Sequence, residues 1–251
     1  PAEGWDDADV RQPLADCPLD HGFDYSFITS RSHGSSANTG WIEGRTCLCA
    51  TGQGPQDVEG YDLYQTGVRN FEQACSFLND HLEDGENQKA PFFLYYASNS
   101  NHLPHTACKD LNGVPVAGKG QFKNGKRELS RPHATTNDPN GWESTEWGKK
   151  RDKVGGCESN SPERLDYIYE NDVAVGQVLA YLESHDDPRN PSHKLIDNTL
   201  FIFTSDNGAE NAGKESHGFL RGRKAHIHEA GHRVPTIAVW KEGDIGDGDD
   251  S

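Results

Sequence analysis

Methionine is missing from all 251 residues, and position 1 is a proline. A translation start would supply a methionine, so the sequence is expected to be an interior piece of something longer. The Gly/Asp run from Gly243 to Ser251 has no closing element and points the same way. No apolar stretch approaches the roughly 18 residues that a membrane span needs, and no signal peptide opens the sequence. Positive charge is scarce: 24 Lys and Arg stand against 40 Asp and Glu, a formal charge of −16. Nucleic-acid partners call for a basic patch, so that class is set aside. There is no usable Asn-x-Ser/Thr acceptor, and the six cysteines form no paired Cys-x-x-Cys zinc pattern. Cys17, Cys47, Cys49, Cys75, Cys108 and Cys157 suit either disulfides in an oxidising compartment or scattered reduced thiols.

What remains is apolar in only 33% of positions, so a core must be concentrated in a few segments with much loop around them. Residues 1–59 are rich in Gly, Ser and Asp and show little periodicity. Within 60–97, Tyr64, Val68, Phe71, Cys75, Leu78 and Leu82 recur at steps of three and four, which predicts a helix ending at Asp84-Gly85. Pro91 then introduces Phe92-Phe93-Leu94-Tyr95-Tyr96-Ala97, an unbroken apolar run of the kind expected for a strand buried on both faces. Residues 98–160 are polar and Gly/Asn-rich, the profile of an insertion or specificity loop.

Residues 161–251 begin with Ser161-Pro162-Glu163, a helix start with a cap, a first-turn proline and an acid at the positive end of the dipole. Leu165, Ile168, Val175, Leu179 and Leu182 form its predicted stripe, and Asp187-Pro188 and Asn190-Pro191 end it. A strand running to Ser205 and another over Val234–Trp240 follow. Helices alternating with strands predict an α/β fold with a mostly parallel sheet covered by helices on both faces.

The first of these last two strands ends in chemistry. Leu200-Phe201-Ile202-Phe203 gives way to Thr204-Ser205-Asp206-Asn207-Gly208, and ligands in α/β sheets bind beyond the carboxyl ends of strands. A carboxylate beside a side-chain amide offers two oxygen donors to a hard cation, although Asp, Asn and Gly also make ordinary turns. Lys224 follows closely enough to offer a positive charge to an anion.

Several segments together resemble the sulfatase family, the formylglycine-dependent branch of the alkaline phosphatase-like superfamily. Phe203–Gly208 is similar to the family's metal-binding strand end, and Gly218–Lys224 to its Arg-Gly-x-Lys segment. Glu229-Ala230-Gly231-His232-Arg233-Val234-Pro235 resembles the Glu-Gly-Gly-x-Arg-Val-Pro stretch that follows. Pro91–Tyr96 with His102-Leu103-Pro104 looks like the family's strand and substrate-contacting histidine, and His21–Tyr25 like its Gly-Phe-Asp-Tyr element. The matches keep family order across most of the chain, apart from 106–160. They identify residues 1–251 as a partial catalytic domain, its central-to-C-terminal portion, of an alkaline phosphatase-like fold incomplete at its N-terminus.

The resemblance implies that Asp206 and Asn207 are two ligands of a divalent cation, Ca²⁺, since all-oxygen donors suit a hard ion. It implies that Lys224 and His102 contact sulfate oxygens, the His-x-Pro context favouring His102 over His105. Cleaving a sulfate ester needs fixed cations around its oxygens. The implied partner is a sulfated small molecule or glycan. The implied setting is periplasmic, secreted or a lysosome-like oxidising compartment. Arg221 could reach an anion or hold a backbone carbonyl. His217, His226, His228 and His232 are read as solvated or structural, and Arg233 as an ion-pair partner.

The departures matter as much. The family's nucleophile is a formylglycine made from the first residue of Cys-x-Pro-x-Arg or its serine version, and no cysteine or serine here fits that pattern. Asp6-Asp7 follow no apolar strand and are read as surface acids. The Gly-Lys-Trp-His element is missing too. The nucleophile and about half of the metal shell are therefore expected upstream, and the fragment alone is expected to be inactive. A phosphate- or phosphonate-cleaving relative and a catalytically inactive Ca²⁺-binding domain are the other readings left open.

Overall fold

The computed structural model describes residues 12–30, 40–48, 61–100, 102, 105–117, 122–123, 126–127, 162–209 and 220–246. The chain divides into two compact units, Pro1–Ala117 and Gly118–Ser251. Asp6, Asp7, His217, Cys49, Cys157 and most of 98–160 lie outside the described residues, as does the predicted cap Ser161.

In the first unit, Phe27–Thr29 (β1), Trp41–Glu43 (β2) and Thr46–Cys47 (β3) form an antiparallel meander. Phe27 stacks on Trp41 with ring centroids 4.9 Å apart, and Tyr61 lies 5.3 Å from the same indole. The predicted helix is present as Thr66–Glu83 (α1), with Asp84 as its C-cap. Its buried residues are Thr66, Gly67, Phe71, Ala74 and Leu78. Of the predicted stripe Phe71 and Leu78 are buried, Val68, Cys75 and Leu82 are half-buried, and Tyr64, just ahead of the helix, is 57% exposed. Tyr25 ties the Gly-Phe-Asp-Tyr element to this helix, its hydroxyl donating to Gln73 Oε1 at 2.7 Å. Burial, with the Glu43 charge second, pushes the Tyr25 phenol up to about 12.

The strand expected at 92–97 is not formed. The segment joins no sheet among the described residues, and Phe93 and Tyr95 are 73% and 70% exposed. Alternate side chains lean inward instead, with Phe92 edge-on to His81 at 5.6 Å. An apolar run becomes a doubly buried strand only when neighbouring strands flank it, and none does so among the described residues. One further short pair belongs to this unit, Asp110–Leu111 (β4) with Val114–Pro115 (β5); Phe122–Lys123 (β6) pairs with Lys126–Arg127 (β7) in the second unit. Leu111 and Val116 are fully buried.

The second unit is built on Pro162–Ser184 (α2), which starts at the proline, as predicted. Its buried face differs from the predicted one. Tyr167, Glu170, Val173, Ala174, Val178 and Leu182 turn inward, whereas Ile168 is 37% exposed. Of the predicted stripe Leu182 lies on this face and Val175 and Leu179 are half-buried, while Asp166 and Glu170 are buried on it and Ala174 contributes to it.

The prolines after α2 do not lead into a loop. Asp186–Asp187 (β8) and Asn190–Lys194 (β9) make a hairpin around Pro188-Arg189. Asp187, 1% exposed, accepts from Arg189 three times: from its amide and Nε at 2.9 and 2.8 Å and from Nη2 at 2.9 Å. The Arg189 side chain holds the Asp187 carboxyl below the usual carboxylate range.

Phe201–Thr204 (β10) and Thr236–Val239 (β11) are the two strands expected at the site. They pair with each other and antiparallel, Phe201 opposite Val239 and Thr204 opposite Thr236. The mostly parallel sheet is thus not what the described residues form: every paired strand among them is antiparallel. Alternation of helix and strand predicts parallel pairing only where helix crossovers connect sheet neighbours, and the described residues between these two strands hold a single helical turn, Glu229–His232. Both strands stay open: Ile202 and Ile237 are each 56% exposed, and Val239 is 45% exposed.

Candidate functional site

The end of β10 is shaped by its own polar side chains. Thr204 Oγ1 donates to the Pro235 carbonyl at 3.2 Å and lies 3.0 Å from Thr236 Oγ1, which aligns the ends of both strands. Ser205 Oγ then donates to the Asn207 carbonyl at 3.0 Å, folding the chain into a tight turn. Asp206 stands exposed on that turn. Asn207 Nδ2 donates to the Gly208 carbonyl at 3.1 Å, so that Oδ1 is the acceptor end of this side chain.

A second backbone segment clasps this turn. Gly208 N donates to the Gly231 carbonyl at 3.0 Å, and Lys224 N donates to the Ala209 carbonyl at 2.8 Å. Glycine is required at both crossing points by close approach rather than by backbone dihedrals. A Cβ on Gly208 would lie 1.7 Å from the Ala230 carbonyl oxygen, and one on Gly231 would lie 1.9 Å from that of His226. The sequence suggested Gly208 as a turn glycine; its role is contact. The glycine of Glu229-Ala230-Gly231 is its counterpart, and spacing alone carried no sign of that pairing.

The loop between these crossing points is closely bonded within itself. Arg221 O accepts from Ala230 N at 3.0 Å, Arg223 O from His226 N at 2.9 Å, and His228 O from Gly231 N at 2.7 Å. Gly222 takes the left-handed conformation at φ +92°, packed against the Cβ atoms of His226 and His228. Glu229–His232 (α3) is a single helical turn, and Arg233 lies 3.7 Å from Glu229 as an exposed ion pair. Arg221, Arg223, Lys224 and Arg233 face only one carboxylate, Glu229, within residues 221–233. In a chain of net charge −16 this is a local reversal of sign.

Three of the four predicted site residues, Asp206, Asn207 and Lys224, therefore sit on one clasped structure. His102 is half-buried in the first unit, its amide donating to the Asn99 carbonyl at 3.1 Å. Among the described residues there is no group of three or more His, Cys, Asp or Glu side chains able to hold a metal. Asp206 and Asn207 are two oxygen donors, fitting part of the six-to-eight-oxygen shell of a hard cation. His226 and His228 meet edge-on at 6.4 Å and form no such group.

Cys47 is disulfide-bonded, whereas Cys17, Cys75 and Cys108 are in no disulfide. Among the described residues no helix is long and apolar enough to cross a membrane.

Comparison with known proteins places these features in context. The family model "Sulfatase" matches residues 5–244. Human "Arylsulfatase A" is 26% identical over 168 residues, covering 66% of this chain and 23% of the relative. Dog "N-acetylgalactosamine-6-sulfatase" is 28% identical over 184 residues, covering 70% of this chain and 25% of the relative. Rat "Steryl-sulfatase" is 41% identical over 83 residues, covering 30% of this chain and 13% of the relative. The chain thus spans about a quarter of the length of the first two. No solved structure matches it. With nearly its whole length matched and the strand-end turn and basic loop both built, the chain belongs to the sulfatase family.

Proposed function

We propose that this chain is part of a hydrolase that cleaves sulfate esters, and that the clasped turn and loop are its anion- and metal-binding half. The observation that carries this reading is the pair of bonds from Lys224 to Ala209 and from Gly208 to Gly231, which fixes a lysine backbone beside Asp206 and Asn207. In this reading the Lys224 ammonium holds sulfate oxygens and neutralises the charge that gathers there as the ester bond breaks. The family resemblance implies substrate contact for the His102 imidazole as well. Asp206 Oδ and Asn207 Oδ1 hold a divalent cation, Ca²⁺, which when bound polarises the sulfate group.

The attacking group belongs to another segment. No cysteine or serine here stands in the formylglycine pattern, so the nucleophile is expected upstream and the 251 residues alone are expected to be inactive. The edge of β10 that pairs with no strand among the described residues suits the parallel strands of an alkaline phosphatase-like sheet. The Cys47 disulfide favours an oxidising compartment: periplasmic, secreted or lysosome-like. The substrate class is a sulfated small molecule or glycan.

The test is binding and turnover by the chain itself. Inorganic sulfate, titrated with Ca²⁺ present, should shift the Lys224 amide resonance while 4-nitrophenyl sulfate remains unhydrolysed. A Lys224 amide indifferent to sulfate would overturn the site, and hydrolysis by this chain would overturn the external nucleophile.

A further inference from the structure

Three residues beyond Lys224, the loop lifts an apolar side chain into water. Ile227 is 90% exposed, the highest exposure of any large hydrophobic residue described. Single exposed apolar residues are ordinary on protein surfaces and by themselves say nothing. Ile227 differs in how firmly the chain presents it. The His232 ring donates from Nε2 to the Ile227 carbonyl at 3.2 Å. On either side, His226 N and Gly231 N close onto the carbonyls of Arg223 and His228.

The turn that lifts it is strained. Ala225 lies between Lys224 and His226 at φ +68°, in the left-handed region that residues with a Cβ avoid. Such conformations persist only where the surroundings over-determine them, and they gather at ligand sites. The strain here sets the direction of the chain directly after the residue assigned to the anion. Ile227 also stays within reach of it, since three residues span at most roughly 11 Å.

We propose that Ile227 is a specificity-determining residue that contacts the apolar, non-sulfated half of the substrate. Esters of apolar alcohols such as phenols are then favoured over those of hydrophilic sugars. The proposal rests on Lys224 holding the sulfate. With the anion fixed there, the organic group of the ester must lie along the loop or away from it. An aromatic or alicyclic group lying along it covers Ile227 and removes apolar surface from water on both sides. A sugar gains nothing from the same position, because its hydroxyls exchange water for a methyl surface.

The experiment uses the whole chain with isoleucine methyl groups labelled, and two probes: inorganic sulfate and 4-nitrophenyl sulfate, each with Ca²⁺. Sulfate should shift the Lys224 amide alone, whereas the aryl ester should shift both that amide and the Ile227 methyl. Ile227→Ala should bind sulfate unchanged and the aryl ester about 10-fold more weakly, the loss expected for one buried aliphatic contact. Ile227→Leu should retain the aryl affinity. An aryl ester that shifts Lys224 but leaves Ile227 unmoved, or equal binding by Ile227→Ala, would overturn the proposal and spare the sulfate site. Glucose 6-sulfate binding as tightly as the aryl ester would overturn it as well. A Lys224 amide that answers neither probe would remove the anion site and this inference with it.

Discussion

The amide of Gly208 donates to the carbonyl of Gly231 at 3.0 Å, and neither residue has room for a methyl group. Two backbones separated by more than twenty residues therefore cross at a distance that only glycine allows. This crossing joins the strand-end turn to the basic loop.

Gly208→Ala and Gly231→Ala should each cost about 3 kcal/mol, the upper range for overpacking, because the atoms in the way belong to backbone. Urea denaturation of the chain should show lower midpoints with an unchanged slope. Gly85→Ala is the control: no atom lies within 4 Å of its would-be Cβ, so the change should stay within roughly 0.5 kcal/mol. Equal effects at all three positions would dismiss the clasp.

Asp206 and Asn207 supply a fraction of a cation's oxygens, so the chain should bind Ca²⁺ weakly, on the order of millimolar. Calorimetry should show this binding disappear in Asp206→Ala, while the fold is retained because the side chain is exposed. Sub-micromolar binding abolished by the same change would instead identify a self-sufficient calcium module.

The Asp187–Arg189 pair gives the second unit an acid limit. The hydrogen bonds from Arg189 depress the folded carboxyl below its ordinary value of 3.8. The stabilisation is therefore fully present above that value and is lost as pH falls through the lower, folded one. Asp187→Asn should cost about 2 kcal/mol at neutral pH, as expected for hydrogen bonds to a charged group. It should also flatten the dependence of thermal midpoint on pH below about 4. A parallel acid limb in wild type and Asp187→Asn would rule the pair out as its source.

Tyr25 titrates late because burial and Glu43 disfavour its phenolate. The neutral form is preferred by the fold, so its contribution is present below the unfolded value of 10.0 and disappears as pH rises toward about 12. Tyr25→Phe should cost about 1 kcal/mol through the lost bond to Gln73. Ultraviolet titration should show one fewer late-ionising tyrosine in this variant; an unchanged titration would contradict the assignment.

What the sequence revealed depended on whether a signal was local. The helix α1 was readable because Phe71, Cys75 and Leu78 repeat its period within one segment. The start of α2 was readable because Pro162 acts on its own turn. Pairing was not readable: whether Phe201–Thr204 meets Thr236–Val239 in one direction or the other depends on partners distant in sequence. The Asp206-Asn207 turn was visible as residue types, but the close approach that positions it depends on Gly231. The buried face of α2 was not readable either: Glu170, an acidic residue, is 1% exposed on it, whereas the apolar Ile168 is 37% exposed.

The exposed isoleucines of β10 and β11 bear on handling as well as on architecture. Ile202 and Ile237 sit on a ribbon whose outer edges pair with no strand among the described residues, the arrangement that invites strand-to-strand association between copies. The surplus of acidic groups opposes this by mutual repulsion, and the repulsion fades near the isoelectric point of about 5.1 and in concentrated salt. Colloidal balance therefore bears directly on how concentrated a solution of the isolated chain can be kept.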